Sequence, residues 1–214
     1  MIFWFLWILI APILWLIMPT RIIGKKYIRK LKHKPAIFSC NHQTMNDPLI
    51  LKSRYPRLKC MAKSGLFKSK FSNWFFRSLG AYPVDRGGND IQAVKTTLKH
   101  LKENKKVLIF PEGTRVKEGE EVAYKNGLVM FALKTDCNVV PMVFRKRTNA
   151  FVFNTLVVGR PFKFSDIAEF KGVKITKEIL QKASEFLAEK MAYLKQVAIK
   201  EYKKLIKQDY KSLA

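Results

Sequence analysis

From Pro35 onward, short apolar runs alternate with stretches in which apolar residues recur every three or four positions, the pattern of a layered α/β domain. The runs Ala36 to Ser39, Leu58 to Ala62, Ala81 to Val84, Val107 to Phe110, Val139 to Phe144 and Leu156 to Gly159 predict strands. Helical periodicity falls over Pro48 to Ser53, Lys70 to Leu79, Asp90 to Glu103, Gly127 to Thr135 and a long segment from about Thr176 to Lys207. In the last, Leu180, Ala183, Leu187, Met191, Leu194, Ala198, Tyr202 and Leu205 make one apolar stripe among lysines. That stripe fits packing on a sheet, with a membrane-surface role as the alternative. No internal repeat or low-complexity linker divides 35–214, so this segment is expected to be one α/β domain.

The first 20 residues break the pattern. MIFWFLWILIAPILWLIMPT carries no charged side chain and includes Trp4, Trp7 and Trp15. As one straight helix its first 18 residues would span about 27 Å, marginal against a hydrocarbon core about 30 Å thick. Pro12 would interrupt such a helix. No basic region precedes the apolar run and no small-residue cleavage site follows it, which argues against a secretory signal. The segment therefore predicts two short apolar helices bent near Pro12 that enter one leaflet, with a single spanning helix as the alternative. Arg21, Lys25, Lys26, Arg29, Lys30, Lys32 and Lys34 follow without an intervening acid. Each gains about 1 kcal/mol near an anionic surface, which puts the cluster on the cytoplasmic face of the cell membrane. Residues 1–34 are thus expected to be an apolar helical anchor with a basic juxtamembrane segment.

A net charge of +25 over 214 residues narrows the partners to anionic lipid, an acidic protein, a phosphorylated substrate or nucleic acid. Cys40, Cys60 and Cys137 sit beside apolar residues at irregular spacing, as reduced core thiols do, and a reducing compartment follows. Cys40, two residues before a histidine, invites a nucleophile reading, against which stands the commoner buried strand thiol.

Asn41 to Pro48, NHQTMNDP, puts His42 and Asp47 five positions apart after an apolar run. On a continuous helix that separation points two side chains about 140° apart, but on a strand-to-helix turn they can meet. A carboxylate there fixes the imidazole tautomer and stabilises the imidazolium, which is base chemistry without a protein nucleophile. The structural alternative makes Asp47 an N-cap and Pro48 the first helical residue. Metal binding fits less well, because only these two ligands converge and His33 and His100 lie in basic, helix-like surroundings. Phe110-Pro-Glu-Gly-Thr-Arg115 ends another apolar run in a forced turn. Arg115 offers a planar fork suited to phosphate, and Glu112 can orient that arginine or a substrate hydroxyl. A structural Glu and Arg pair bracing the loop is the alternative. Gly80 to Gly88 places Arg86 before two glycines, and Val139 to Phe144 is an apolar strand with Pro141 inside it.

Taken in this order, the four segments resemble the glycerolipid acyltransferases of the lysophosphatidic acid acyltransferase (1-acyl-glycerol-3-phosphate acyltransferase, PlsC-like) family. His42 and Asp47 match its dyad, Gly80 to Arg86 its second block, Phe110 to Arg115 its FPEGTR block and Pro141 its fourth. Departures are small: the family often has an aromatic or aliphatic residue near Asn46 and serine where Val116 stands. The resemblance implies a mixed sheet flanked by helices and a base, His42, that deprotonates the sn-2 hydroxyl of lysophosphatidic acid as it attacks an acyl thioester. It implies that Asp47 holds the imidazole, that Arg86, Glu112 and Arg115 bind the glycerol phosphate, and that Gly113 and Thr114 shape the loop. Pro141 is implied to border the acyl site. Neither a bound cofactor, a metal nor an acyl-enzyme is required. The co-substrate would be acyl-ACP or acyl-CoA, that is, a thioester of acyl carrier protein or of coenzyme A, and the basic surface suits both donors. Transfer to glycerol-3-phosphate or to a lysophospholipid with a head group is the alternative within enzymes. A membrane-tethered nucleic-acid module would explain the charge but leaves the ordered motifs unexplained, so no nucleic-acid partner is expected.

Overall fold

The computed structural model describes residues 2–85, 90–117, 120 and 122–212. Its helices and strands alternate as α1 (Ile2–Ile17), β1 (Thr20–Ile23), α2 (Lys25–Arg29), β2 (Ala36–Cys40), α3 (Asn46–Arg54), β3 (Lys59–Lys63) and α4 (Lys70–Ser78). They continue as β4 (Ala81–Val84), α5 (Ile91–Lys102), β5 (Lys106–Ile109), α6 (Gly127–Thr135), β6 (Asn138–Phe144), β7 (Asn154–Val158) and α7 (Lys177–Ser212). The strands form a mixed seven-stranded sheet of order β1-β7-β6-β2-β5-β3-β4. Pairing is parallel from β4 to β6; β7 then runs antiparallel to β6, and β1 runs parallel to β7. The six expected strands all occur, with ends shifted by at most two residues.

Two apolar layers cover the sheet because its strands alternate faces with period two. Ile37, Val107, Ile109, Val139, Val143 and Val157 turn toward α5, α6 and α7. Ala36, Phe38, Cys40, Leu108, Val140 and Met142 turn the other way, against Met18, Ile28, Ile50 and Leu51. On α7 the apolar stripe is buried at Ala183, Leu187, Met191, Leu194 and Ala198, so it packs on the sheet. Each large side chain there contributes about 1.5–3 kcal/mol of burial. Tyr202 and Leu205 belong to the part of α7 whose side chains are outside the described set.

The N-terminal expectations need correction. Thr20 to Ile23 is a sheet strand, in register with Asn154 to Val157, so the α/β domain begins at Thr20 rather than at residue 35. The open edge of β7 supplies backbone partners that four residues beside a basic run do not advertise. Gly24 makes the following turn at φ 80, where a Cβ would stand 2.2 Å from the Val158 carbonyl oxygen. Upstream, α1 is one helix with Pro12 inside it, not two helices bent there. Proline removes one hydrogen bond, to the Ile8 carbonyl, and the helix continues around the gap. Among the described residues no helix is long and apolar enough to cross a membrane. Instead α1 rests on α3: Trp15 Nε1 donates to the Ser53 carbonyl at 3.1 Å and the Arg54 guanidinium lies over the Trp15 ring.

Cys40 and Cys137 are buried free thiols. Burial, with Asp47 and Glu112 nearby, pushes the Cys40 thiol well up, which removes it as a nucleophile.

Because β2 and β5 are parallel neighbours, with Ser39 opposite Ile109, both deliver their loops to one edge of the sheet. NHQTMNDP and FPEGTR meet there.

Candidate active site

The turn after β2 is prepared by Asn41. Its side-chain amide donates to the Phe144 carbonyl and accepts from the Phe144 N–H, extending the ladder with β6 while the main chain leaves the sheet. His42 follows at the turn and Asp47 lies in the first turn of α3, so the strand-to-helix geometry brings them together: Nδ1 of His42 is 3.0 Å from Oδ2 of Asp47. Asp47 is not the helix N-cap, a position held by Met45. Its carboxylate reaches back instead, accepting from the N–H groups of Gln43 (2.6 Å) and Thr44 (2.8 Å).

Hydroxyls of Thr44 and Thr148 complete the set at Oδ1, at 3.2 Å and 2.6 Å. Asp47 is fully buried. Burial alone would raise its carboxyl, but the bonds from His42, Thr148, Thr44 and Gln43 outweigh it and hold the group below its ordinary value. An ionised carboxylate can only accept, so Nδ1 of His42 carries the proton and Nε2 is the basic nitrogen. The imidazole stacks on Phe110 with ring centroids 4.0 Å apart, which fixes its plane.

The FPEGTR turn braces this pair from behind. Val116 N–H donates to the His42 carbonyl at 2.8 Å and Lys125 N–H to the Pro111 carbonyl at 2.8 Å. Gly113 takes φ 70, which a side chain would resist. Glu112 is buried, with its own backbone N–H and that of His42 beside its carboxyl. Burial pushes Glu112 up to about 7, helped by the Asp47 charge, while those two N–H groups and Lys195 pull the other way. One of its oxygens, Oε2, is buried without a hydrogen-bond partner. Thr114 and Arg115 are exposed beside the turn.

A cavity of about 410 Å³ opens at His42 and runs between β3, β4 and β5 on one side and α5 and α6 on the other. Met61, Val94, Phe110, Leu128 and Phe131 give it apolar walls, and Gly113 and Lys125 stand with His42 among its lining. Pro141 is buried in β6, its ring against Gly159, and is not among the described residues lining this cavity. Arg86 lies outside the described residues. Sequence reasoning missed Thr148. A single threonine in a basic loop has no local signature, and only the fold shows that it holds Asp47.

The Acyltransferase family model matches residues 19–145. Over 139 residues the chain is 32% identical to the 1-acyl-sn-glycerol-3-phosphate acyltransferase of Bacillus subtilis, covering 62% of this chain and 69% of the relative. It is 33% identical over 110 residues to a chloroplastic 1-acyl-sn-glycerol-3-phosphate acyltransferase of Arabidopsis thaliana, covering 50% of this chain and 31% of the relative. The chain thus spans about a third of the length of that relative and of its Brassica napus counterpart. The crystal structure of the 1-acyl-sn-glycerophosphate (LPA) acyltransferase PlsC from Thermotoga maritima superposes with a TM-score of 0.61 at 23% identity, over 82% of this chain and 72% of that one. That likeness establishes a common fold. With a match that runs from β1 to the end of β6, the chain belongs to the Acyltransferase family.

Proposed function

We propose that the protein transfers an acyl group from a thioester to the sn-2 hydroxyl of lysophosphatidic acid, giving phosphatidic acid. The observation that carries this reading is the buried Asp47 holding Nδ1 of His42, with the imidazole among the lining of an apolar-walled cavity. In the reaction Nε2 of His42 takes the hydroxyl proton as the substrate oxygen bonds to the thioester carbon. Asp47 stabilises the imidazolium. The tetrahedral intermediate collapses, the C–S bond breaks, and the imidazolium returns its proton to the departing thiolate. No covalent enzyme intermediate forms.

Arg115, exposed beside the catalytic turn, suits the acceptor's phosphate. The apolar cavity beside His42 suits an acyl chain. The donor is a thioester of acyl carrier protein or coenzyme A, both of which are anionic and complement the +25 chain. Association with a membrane is supported by the exposed apolar side chains of Ile13 and Leu16 on α1 and of Phe151 and Phe153. These lie close together, since Phe151 N–H donates to the Ile17 carbonyl.

Purified protein offered lysophosphatidic acid, glycerol-3-phosphate and lysophospholipids with head groups side by side, with each donor in turn, tests the assignment. Phosphatidic acid should dominate. Acylation of another acceptor with lysophosphatidic acid left untouched would overturn it.

A further inference from the structure

A cavity of about 910 Å³ lies at the edge of the sheet where β2 and β5 begin, whereas His42 and Glu112 follow those strands' ends. Lys25, Arg29 and Lys32 come from α2 and the chain after it. Arg54, Arg57, Lys105 and Lys106 come from the ends of α3 and α5 and the start of β5. Among the described residues no aspartate or glutamate lines it.

Helix C-termini attract cations, and both α3 and α5 end here, which accounts for part of this concentration. They do not account for Lys25, Arg29 and Lys32, which come from another part of the chain; behind the lining, Nε of Arg54 and the hydroxyl of Tyr55 are buried without a hydrogen-bond partner. A buried unpaired donor is costly, and natural proteins leave few. Arg54 lies with its guanidinium 4.9 Å from the centroid of the Trp15 ring, which holds it in place. Burial also lowers the ordinary values of Arg54 and Lys106, as expected of cations withdrawn from water. Two neighbours already have partners: Lys105 pairs with Glu103, and Lys106 donates to the Lys32 carbonyl at 3.0 Å.

We infer that this cavity is a second anion site, separate from the His42 cavity, that receives phosphate oxygens between the side chains of Lys25, Arg29, Lys32 and Arg54. Phosphate fits better than an apolar ligand because the lining carries lysines and arginines from three segments and, among the described residues, no carboxylate. The same chemistry is offered by a phospholipid head group and by a soluble phosphate or pyrophosphate. Trp15 connects the site to α1, whose Ile13 and Leu16 are exposed, and so places it near any bilayer that α1 touches. The inference does not depend on acyl transfer.

Calorimetric titration of the intact protein with pyrophosphate at low ionic strength tests it, with Arg115→Gln in every protein so that binding beside His42 is not counted. Saturable binding is expected, and Arg29→Gln with Arg54→Gln should weaken it by at least about tenfold, as loss of charge-assisted bonds does. Arg29→Gln alone, at an exposed position, should weaken it in a protein whose fold is undisturbed. A control pair on another surface, Lys171→Gln with Lys174→Gln, should leave it unchanged. Absence of saturation, or equal weakening by the control pair, would overturn the site. Phosphatidylcholine vesicles containing phosphatidylglycerol distinguish the sources: competition with pyrophosphate assigns the site to lipid head groups, and saturable pyrophosphate binding that vesicles do not disturb assigns it to soluble phosphates.

Discussion

Asp47→Asn separates the electrostatic role of the dyad from its architectural one. Oδ2 of Asp47 accepts from Nδ1 of His42 and from two backbone N–H groups, of Gln43 and Thr44. Those fixed donors pin the amide oxygen of asparagine at the same place, because its NH₂ group would otherwise face two N–H groups. The NH₂ then lies at the Oδ1 position, where the Thr44 and Thr148 hydroxyls can rotate to accept it. The imidazole tautomer is thereby retained and only the negative charge is lost. At the observed 3.0 Å contact, an imidazolium loses about 5.5 kcal/mol of Coulombic stabilisation at an effective dielectric near 20, or roughly a 10⁴-fold fall in turnover. Initial rates at saturating substrates measure it, with urea unfolding to show that the fold is kept. Turnover within about threefold of the unmodified enzyme, in a folded variant, would refute the assignment of Asp47 as the imidazolium's partner.

Glu112→Gln should change the pH dependence of stability. The folded protein holds Glu112 at about 7 against an ordinary 4.5, so it keeps a proton that the unfolded chain has lost, and stability falls as pH rises from 4.5 to about 7. That fall is worth at most about 3 kcal/mol at 1.36 kcal/mol per pH unit, and urea midpoints at acid and neutral pH should show it shrink in the variant. Arg115→Lys keeps charge but loses the planar fork; steady-state kinetics should show the KM for lysophosphatidic acid rising more than that for the donor. A rise in the donor's KM alone would move Arg115 to the thioester's side. Thr148→Val removes a buried hydroxyl from Asp47; assays of unfolding and rate should show a loss of about 1–3 kcal/mol in stability and slower turnover.

What the sequence made legible was whatever local pattern determines. The runs at β2 and β5 are buried on both faces and read as uninterrupted apolar stretches, and each is followed by a turn with its own chemistry. Strand-to-helix spacing made the meeting of His42 and Asp47 possible, the family resemblance made it an expectation, and the fold brings them to 3.0 Å. β1 was hidden because four residues, two of them polar, gain their partner only from β7, more than a hundred positions away. The continuity of α1 through Pro12 was equally hidden, since a lost hydrogen bond leaves open whether the helix goes on. The sequence placed Glu112 in a turn at the sheet edge, but its burial beside the His42 backbone is a property of the packed turn. The basic run after Thr20 showed its charge plainly, but not that Lys25, Arg29 and Lys32 would face Arg54 across a cavity.

The central claim is that His42 is the base. Its most direct test is the rate at which purified His42→Ala protein forms phosphatidic acid from lysophosphatidic acid and an acyl thioester, with circular dichroism confirming the native fold. The account predicts a fall of at least about 10²- to 10⁴-fold, the range for loss of a general base. Near-normal turnover in the folded variant would contradict it.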